Sequence, residues 1–184
     1  MNAYANLTHG GRTAALVALM VAASVALTLG FACALPLAAF ATMAAMLFGP
    51  AAAIGSILAV WLANQIIGFA LLSYPTDAST LTWGAGLGLI ALLSLAAAAA
   101  VLARDRGTLA IAASFVTAFV IYEGAVAVGC LISGIGLAHF TLPIVTRIFV
   151  INAATFGGFL ALRALALRSP LAHESAKASA LRHA

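Results

Sequence analysis

Six apolar stretches, residues 13–31, 35–48, 51–72, 82–103, 108–131 and 142–166, occupy most of this 184-residue chain. A helix needs about 20 consecutive apolar residues to cross the hydrocarbon of a bilayer. All but the second stretch have roughly that length. Inside lipid the backbone must satisfy its own hydrogen bonds, and a helix does so within one segment. Turn signals divide the stretches at Pro36, Gly49-Pro50, Tyr74-Pro75-Thr76-Asp77, Gly107 and Gly134 to Gly136. Gly49-Pro50 alone separates the second and third, which reads as a tight helical hairpin. The expected fold is all-α, a polytopic membrane protein built as a compact bundle of six transmembrane helices. Its short second segment is tilted or partly re-entrant.

Composition supports that class. The chain is 65% hydrophobic and 7% charged, whereas a soluble domain carries about a quarter charged residues. There are too few charges to cover a water-facing surface. The net charge of +4 does not imply nucleic acid, because no basic cluster is interleaved with aromatics. Cys33 and Cys130 show no metal-ligand spacing and read as small apolar helix residues. No metal site and no cofactor are expected.

The charges set a topology. Arg12 precedes the first helix, Arg104, Asp105 and Arg106 lie between the fourth and fifth, and Arg163, Arg168, Lys177 and Arg182 end the chain. With six spans and an inside N-terminus, all fall on the cytoplasmic side, and the loops after helices 1, 3 and 5 contain no Lys or Arg. That is the positive-inside pattern, so both termini are expected in the cytoplasm. Ala32-Cys33-Ala34 resembles a signal cleavage site, but the apolar region before it is longer than a usual signal core, and a first span is the better reading. Residues 1–168 form the expected membrane domain. Residues 169–184 form a polar cytoplasmic tail, with His173 and His183 as solvated residues.

Two charged residues lie inside spans away from the ends, Glu123 and Arg147. Ionisable groups in a span are costly and mark function by default. Glu123 lies about 12 Å and Arg147 about 8 Å from the outer ends of their helices, at about 1.5 Å per residue. A Glu123–Arg147 pair is geometrically allowed, either as part of a binding site or as a structural tie between helices 5 and 6. Trp61, Asn64, Gln65 and Gly68 share an i, i+3, i+4, i+7 face, and helix 5 carries Phe115, Phe119, Tyr122, Glu123 and Val126 at the same kind of spacing. Tyr74, Asp77, Trp83 and His139 lie in or beside the outer loops. An outward-facing pocket with apolar and aromatic walls and a few orienting polar groups follows. Bland roles stand beside it: an interfacial belt for Trp61, Trp83 and Tyr74, and interhelical hydrogen bonds for Asn64 and Gln65. Asn152 lies about 140° around the helix from Arg147, which makes it the weaker candidate.

Ala14, Ala18, Ala22 and Ala26 recur at every fourth position of the first helix, with Gly30 continuing the row. Positions four apart share a helix face, and small residues permit close helix contact in lipid. The row reads as a docking face for a partner. A chance spacing in an alanine-rich chain, which also carries Ala96 to Ala100 in helix 4, and an intramolecular contact are the other options.

This layout resembles the substrate-binding S components of energy-coupling-factor (ECF) vitamin transporters. Arg12-Thr13-Ala14-Ala15 leads into the alanine row, Leu35-Pro36-Leu37 begins the second run, and Leu47-Phe48-Gly49-Pro50 ends it, as in biotin-type S components. The resemblance covers residues 12 to about 168. It implies capture of a vitamin-type micronutrient from outside, and docking of Ala14, Ala18, Ala22 and Ala26 on a transmembrane T component. Two ATPase subunits would drive the process, in the inner membrane of a bacterium. The chain has no phosphate loop of the Gly-x-x-x-x-Gly-Lys-Ser/Thr type and cannot itself hydrolyse ATP. The expected substrate-binding residues are Trp61, Asn64, Gln65, Phe119, Tyr122, Glu123 and Arg147. Arg147 offers a fork for a carboxylate, the amides offer donors and acceptors for a ureido or ring-nitrogen edge, and biotin is the first guess. Catalysis is not expected, because Ser114 and Thr117 have no intramembrane His or Asp near them. The alternatives are an ion-coupled carrier acting alone through Glu123 and a ligand-free assembly subunit.

Overall fold

A computed structural model describes residues 3–31, 35–138 and 140–168. The Ala32-Cys33-Ala34 segment, His139 and the tail 169–184 with His173 and His183 lie outside the described residues. Within them the chain forms α1 (Ala3–Phe31), α2 (Leu37–Leu47), α3 (Pro50–Ala70), α4 (Ala78–Leu102), α5 (Thr108–Ile132) and α6 (Leu142–Arg168). Five of these helices are long and apolar enough to cross a membrane, and the architecture is that of a multi-pass helical membrane protein.

α2 is the exception. Its 11 residues rise about 16 Å at about 1.5 Å each, roughly half of a hydrocarbon core of about 30 Å. It is nevertheless the axis of the bundle. Residues Leu37 to Ala45 are all buried, and α3, α4, α5 and α6 all pack on it. α1 packs on α3, while α6 lies on α2 and touches α5 more sparsely. The small side chains Ala38, Ala39, Ala41 and Ala44 let the neighbours approach closely. Rings fill the larger gaps. Phe40 meets Phe159 edge-on at 5.4 Å, Phe115 stacks on Phe156 at 4.8 Å, and Phe149 meets Phe119 edge-on at 5.0 Å.

Local sequence sets the element ends. Gly49 caps α3 and Pro50 occupies its first turn, where a missing N–H costs nothing. The Asp77 side chain caps α4 by accepting from Thr80 N at 2.8 Å. That bond holds the exposed Asp77 carboxyl below its ordinary value. After α5, Gly134 takes φ +73°, the left-handed position that commonly ends a helix. α1 starts at Ala3, ahead of the apolar stretch at 13, because a helix continues into polar sequence that hydropathy does not register.

Successive helices alternate in direction. The C-terminal half of α1, the start of α2, the C-terminal halves of α3 and α5 and the start of α4 meet at one end, beside Tyr74. The end of α2, the start of α3, the ends of α4 and α6 and the start of α5 meet at the other, beside Arg106.

Candidate functional site

Because α2 stops short of its neighbours, a space remains beyond its N-terminal end. This cavity has a volume of about 250 Å³, near the small end of ligand pockets (about 300–1,000 Å³). Leu35 and Leu37 line it at the start of α2. Thr28 of α1, Trp61, Asn64, Gln65 and Phe69 of α3, Tyr74, Thr80, Trp83, Gly84 and Leu87 of the loop and α4, and Tyr122 of α5 complete the lining. Among the described residues, none that lines it is charged. The start of α2 also carries the partial positive end of a helix dipole.

Each wall has an identifiable cause. The i, i+3, i+4 face of α3 supplies Trp61, Asn64 and Gln65. Trp61 Nε1 donates to Gly84 O at 2.8 Å, across to α4. Two glycines one turn apart make room for that approach. A Cβ at Gly88 would lie 2.9 Å from the Trp61 ring, and one at Gly84 would lie 2.5 Å from Gln65 Oε1. Asn64 Nδ2 donates to Thr28 Oγ1 at 2.9 Å, and Thr28 Oγ1 donates to Ser24 O at 2.8 Å. Asn64 thus ties α3 to α1 while lining the cavity. Gln65 and Tyr122 form no hydrogen bond with the described residues, so the Gln65 amide and the Tyr122 hydroxyl are free for a ligand. Trp83 lines the cavity and also packs on α5, where a Cβ at Gly129 would lie 3.1 Å from its ring.

The sequence-predicted residues divide into two groups. Trp61, Asn64, Gln65 and Tyr122 come together in the cavity, joined by Tyr74 and Trp83. Phe119, Glu123 and Arg147 stand outside its lining. Phe119 is buried against Phe149. Glu123 is half-buried, and its Oε1 has no hydrogen-bond partner among the described residues. The Glu123–Arg147 pair does not form. Arg147 is exposed on the outer side of α6, while Phe149 and Val145 turn toward α5 and the core. Residues two apart on a helix point about 200° apart, so Arg147 faces away from the bundle. The 140° separation from Asn152 is real, but the two residues exchange roles. Asn152 is the inward one, fully buried, with Oδ1 accepting from Ala39 N at 3.2 Å and Nδ2 donating to Ile148 O at 3.0 Å. It satisfies an N–H in the first turn of α2, one of the orphan donors every helix start carries. That role is structural and sits beneath the cavity.

Ala14, Ala18, Ala22 and Ala26 are all exposed, whereas Met20, Ser24 and Thr28 on the other side of α1 are buried. The row lies on the outward side of α1, away from its buried face. Gly84 and Gly88 of α4 are a small-residue pair that does serve internal packing, a four-residue spacing visible in the sequence but not singled out above. Thr28 was missed as well. It is one hydroxyl in an apolar helix, with no neighbour in sequence to mark it.

The fold and the cavity together define a class, a helical membrane protein with a ligand-sized neutral pocket opening toward one end of its bundle. No protein-family model, curated protein or solved structure matches the chain.

Proposed function

We propose that this chain is the membrane-embedded substrate-binding subunit of a micronutrient uptake transporter, of the kind represented by ECF S components. The cavity beyond α2 carries this reading. Trp61, Phe69, Tyr74 and Tyr122 offer ring faces, and the Gln65 and Asn64 amides offer directed hydrogen bonds, the mix that orients a small heterocycle. The exposed alanine row of α1 supports docking on a transmembrane T component, with ATPase subunits supplying energy from outside this chain. In this account the arginine-bearing end and both termini lie in the cytoplasm of a bacterial cell, and the cavity opens outward.

The neutral lining revises the substrate chemistry. A carboxylate meets no arginine among the described lining residues. Its favourable partner is the positive end of α2. Thiamine-like cations find no acid among the described lining residues. A compact molecule with a ureido, amide or ring-nitrogen edge fits best, and biotin or a precursor remains first in line. A thermal-stability screen of the detergent-solubilised protein against water-soluble vitamins tests this. A ligand at 100 times its Kd adds about 2.7 kcal/mol to the folded state. One compound should raise Tm, and Gln65→Ala should weaken the rise. No shift across the panel removes the binding-subunit reading.

Glu123 Oε1, which has no hydrogen-bond partner among the described residues, favours a second reading, an ion-coupled carrier. A carrier would lose transport in Glu123→Gln and work without ATPase partners. The binding subunit would keep its affinity in that variant.

A further inference from the structure

At the arginine-bearing end, α2, α3 and α4 enclose a second concavity, open to the surroundings, of about 530 Å³. Small residues form it. Ala53 lies on α3, Ala96 and Ala99 on α4, and the Gly49-Pro50 hairpin closes one side. Along α4 it runs from Leu92 to Ala103, about 16 Å at about 1.5 Å per residue. That is the depth of one leaflet, half of a hydrocarbon core of about 30 Å. Its mouth holds Arg106, which also lines an adjoining cleft of about 70 Å³ with Arg163 of α6.

We infer that this groove binds an anionic phospholipid, with one acyl chain along α4 and the phosphate held by Arg106 and Arg163. Charge complementarity selects this occupant. Neither arginine has an ion-pair partner among the described residues, and neither concavity is lined by an acid. The nearby Asp105 turns its carboxylate onto its own loop, accepting from Gly107 N at 2.9 Å. One guanidinium at the mouth of an apolar trough one leaflet deep, with a second in the adjoining cleft, matches a headgroup phosphate above its chain. Basic pockets between membrane helices bind acidic headgroups on the same physical grounds. The inference rests on the multi-pass architecture and is independent of the ligand cavity at the opposite end.

The test uses the full-length protein in nanodiscs containing both phosphatidylglycerol and phosphatidylcholine, with retained lipid measured by native mass spectrometry. Phosphatidylglycerol should be retained preferentially. Arg106→Gln and Arg163→Gln should each cut that preference about fivefold. Arg104→Gln removes the same charge from the same loop but lies outside both concavities, and it should leave the preference intact. Ala99→Phe fills the trough and should lower retention of both lipids. Equal retention of the two lipids by the unmodified protein would overturn the inference. So would an Arg104→Gln loss as large as that of Arg106→Gln, which indicates bulk charge alone. Stabilisation by inorganic phosphate equal to that by phosphatidylglycerol would also overturn it, because the site would then be one for free anions.

Discussion

Replacing Asn152 by Leu should destabilise the bundle by removing a single hydrogen-bond acceptor. The two side chains have the same number of heavy atoms, so little cavity term enters. At this site the Asn152 Oδ1 accepts from Ala39 N, while Leu37 N and Phe40 N find Leu35 O and Pro36 O. Leu at 152 therefore strands one buried N–H. An unsatisfied buried donor costs about 1–3 kcal/mol. Side-chain hydrogen bonds inside membranes average about 0.6 kcal/mol and reach about 1.7, because the unfolded chain in lipid also finds partners. The expected loss is about 1–2 kcal/mol, between those two estimates. Thr155→Val is the control. Thr155 Oγ1 donates only to Ile151 O one turn back, and its removal strands nothing. Equilibrium denaturation in mixed SDS micelles gives both numbers. Hydrogen exchange should localise the Asn152→Leu effect to the start of α2, and because α2 ends at the cavity, ligand affinity should fall with it. A neutral or stabilising Asn152→Leu refutes the capping argument. Lost affinity with unchanged stability would instead make Asn152 a ligand group.

Other expectations follow from the same geometry. Gly84→Val should fold and lose ligand binding, because its Cβ displaces the Gln65 amide; ligand titration beside a melting curve separates the two effects. Ala18→Trp should leave ligand affinity unchanged and abolish co-purification with an energising module, since Ala18 is exposed and remote from the cavity. Asp77→Ala should reduce stability at neutral pH. The Asp77 carboxyl titrates below its ordinary value of 3.8 through its bond to Thr80 N, so its contribution is present above that pH and fades as pH falls through the lower folded value. Melting curves of the variant and the parent should converge only in strong acid.

How much of this was legible beforehand depends on what hydropathy encodes. Stretch lengths and turn residues located the helices. Gly49-Pro50 marks the α2–α3 junction, and 108–131 nearly coincides with Thr108–Ile132. The α3 face of Trp61, Asn64 and Gln65 followed from periodicity, because polar residues in an apolar helix are few enough to define a side. The partners of that face, Thr28 and Gly84, did not. Sequence says which residues are apolar, not which helix lies alongside. Arg147 shows the same limit more sharply. A lipid-exposed helix is apolar all round, so the pattern could not distinguish its inner from its outer side. The cost of an ionisable group in a span suggested inward, and only the rotation of α6, fixed by Asn152 and Phe156 in the core and by Phe149 against the α5 rings, places it outward.

The chain contains two tryptophans, Trp61 and Trp83, and both line the cavity. Tryptophan fluorescence therefore reports occupancy directly. A ligand that stabilises the protein should change the emission saturably, with the same midpoint as its stabilising effect, and Gln65→Ala should weaken both together. A compound that stabilises the protein while leaving both tryptophans unchanged binds elsewhere, and that result would contradict the assignment of this cavity as the substrate site.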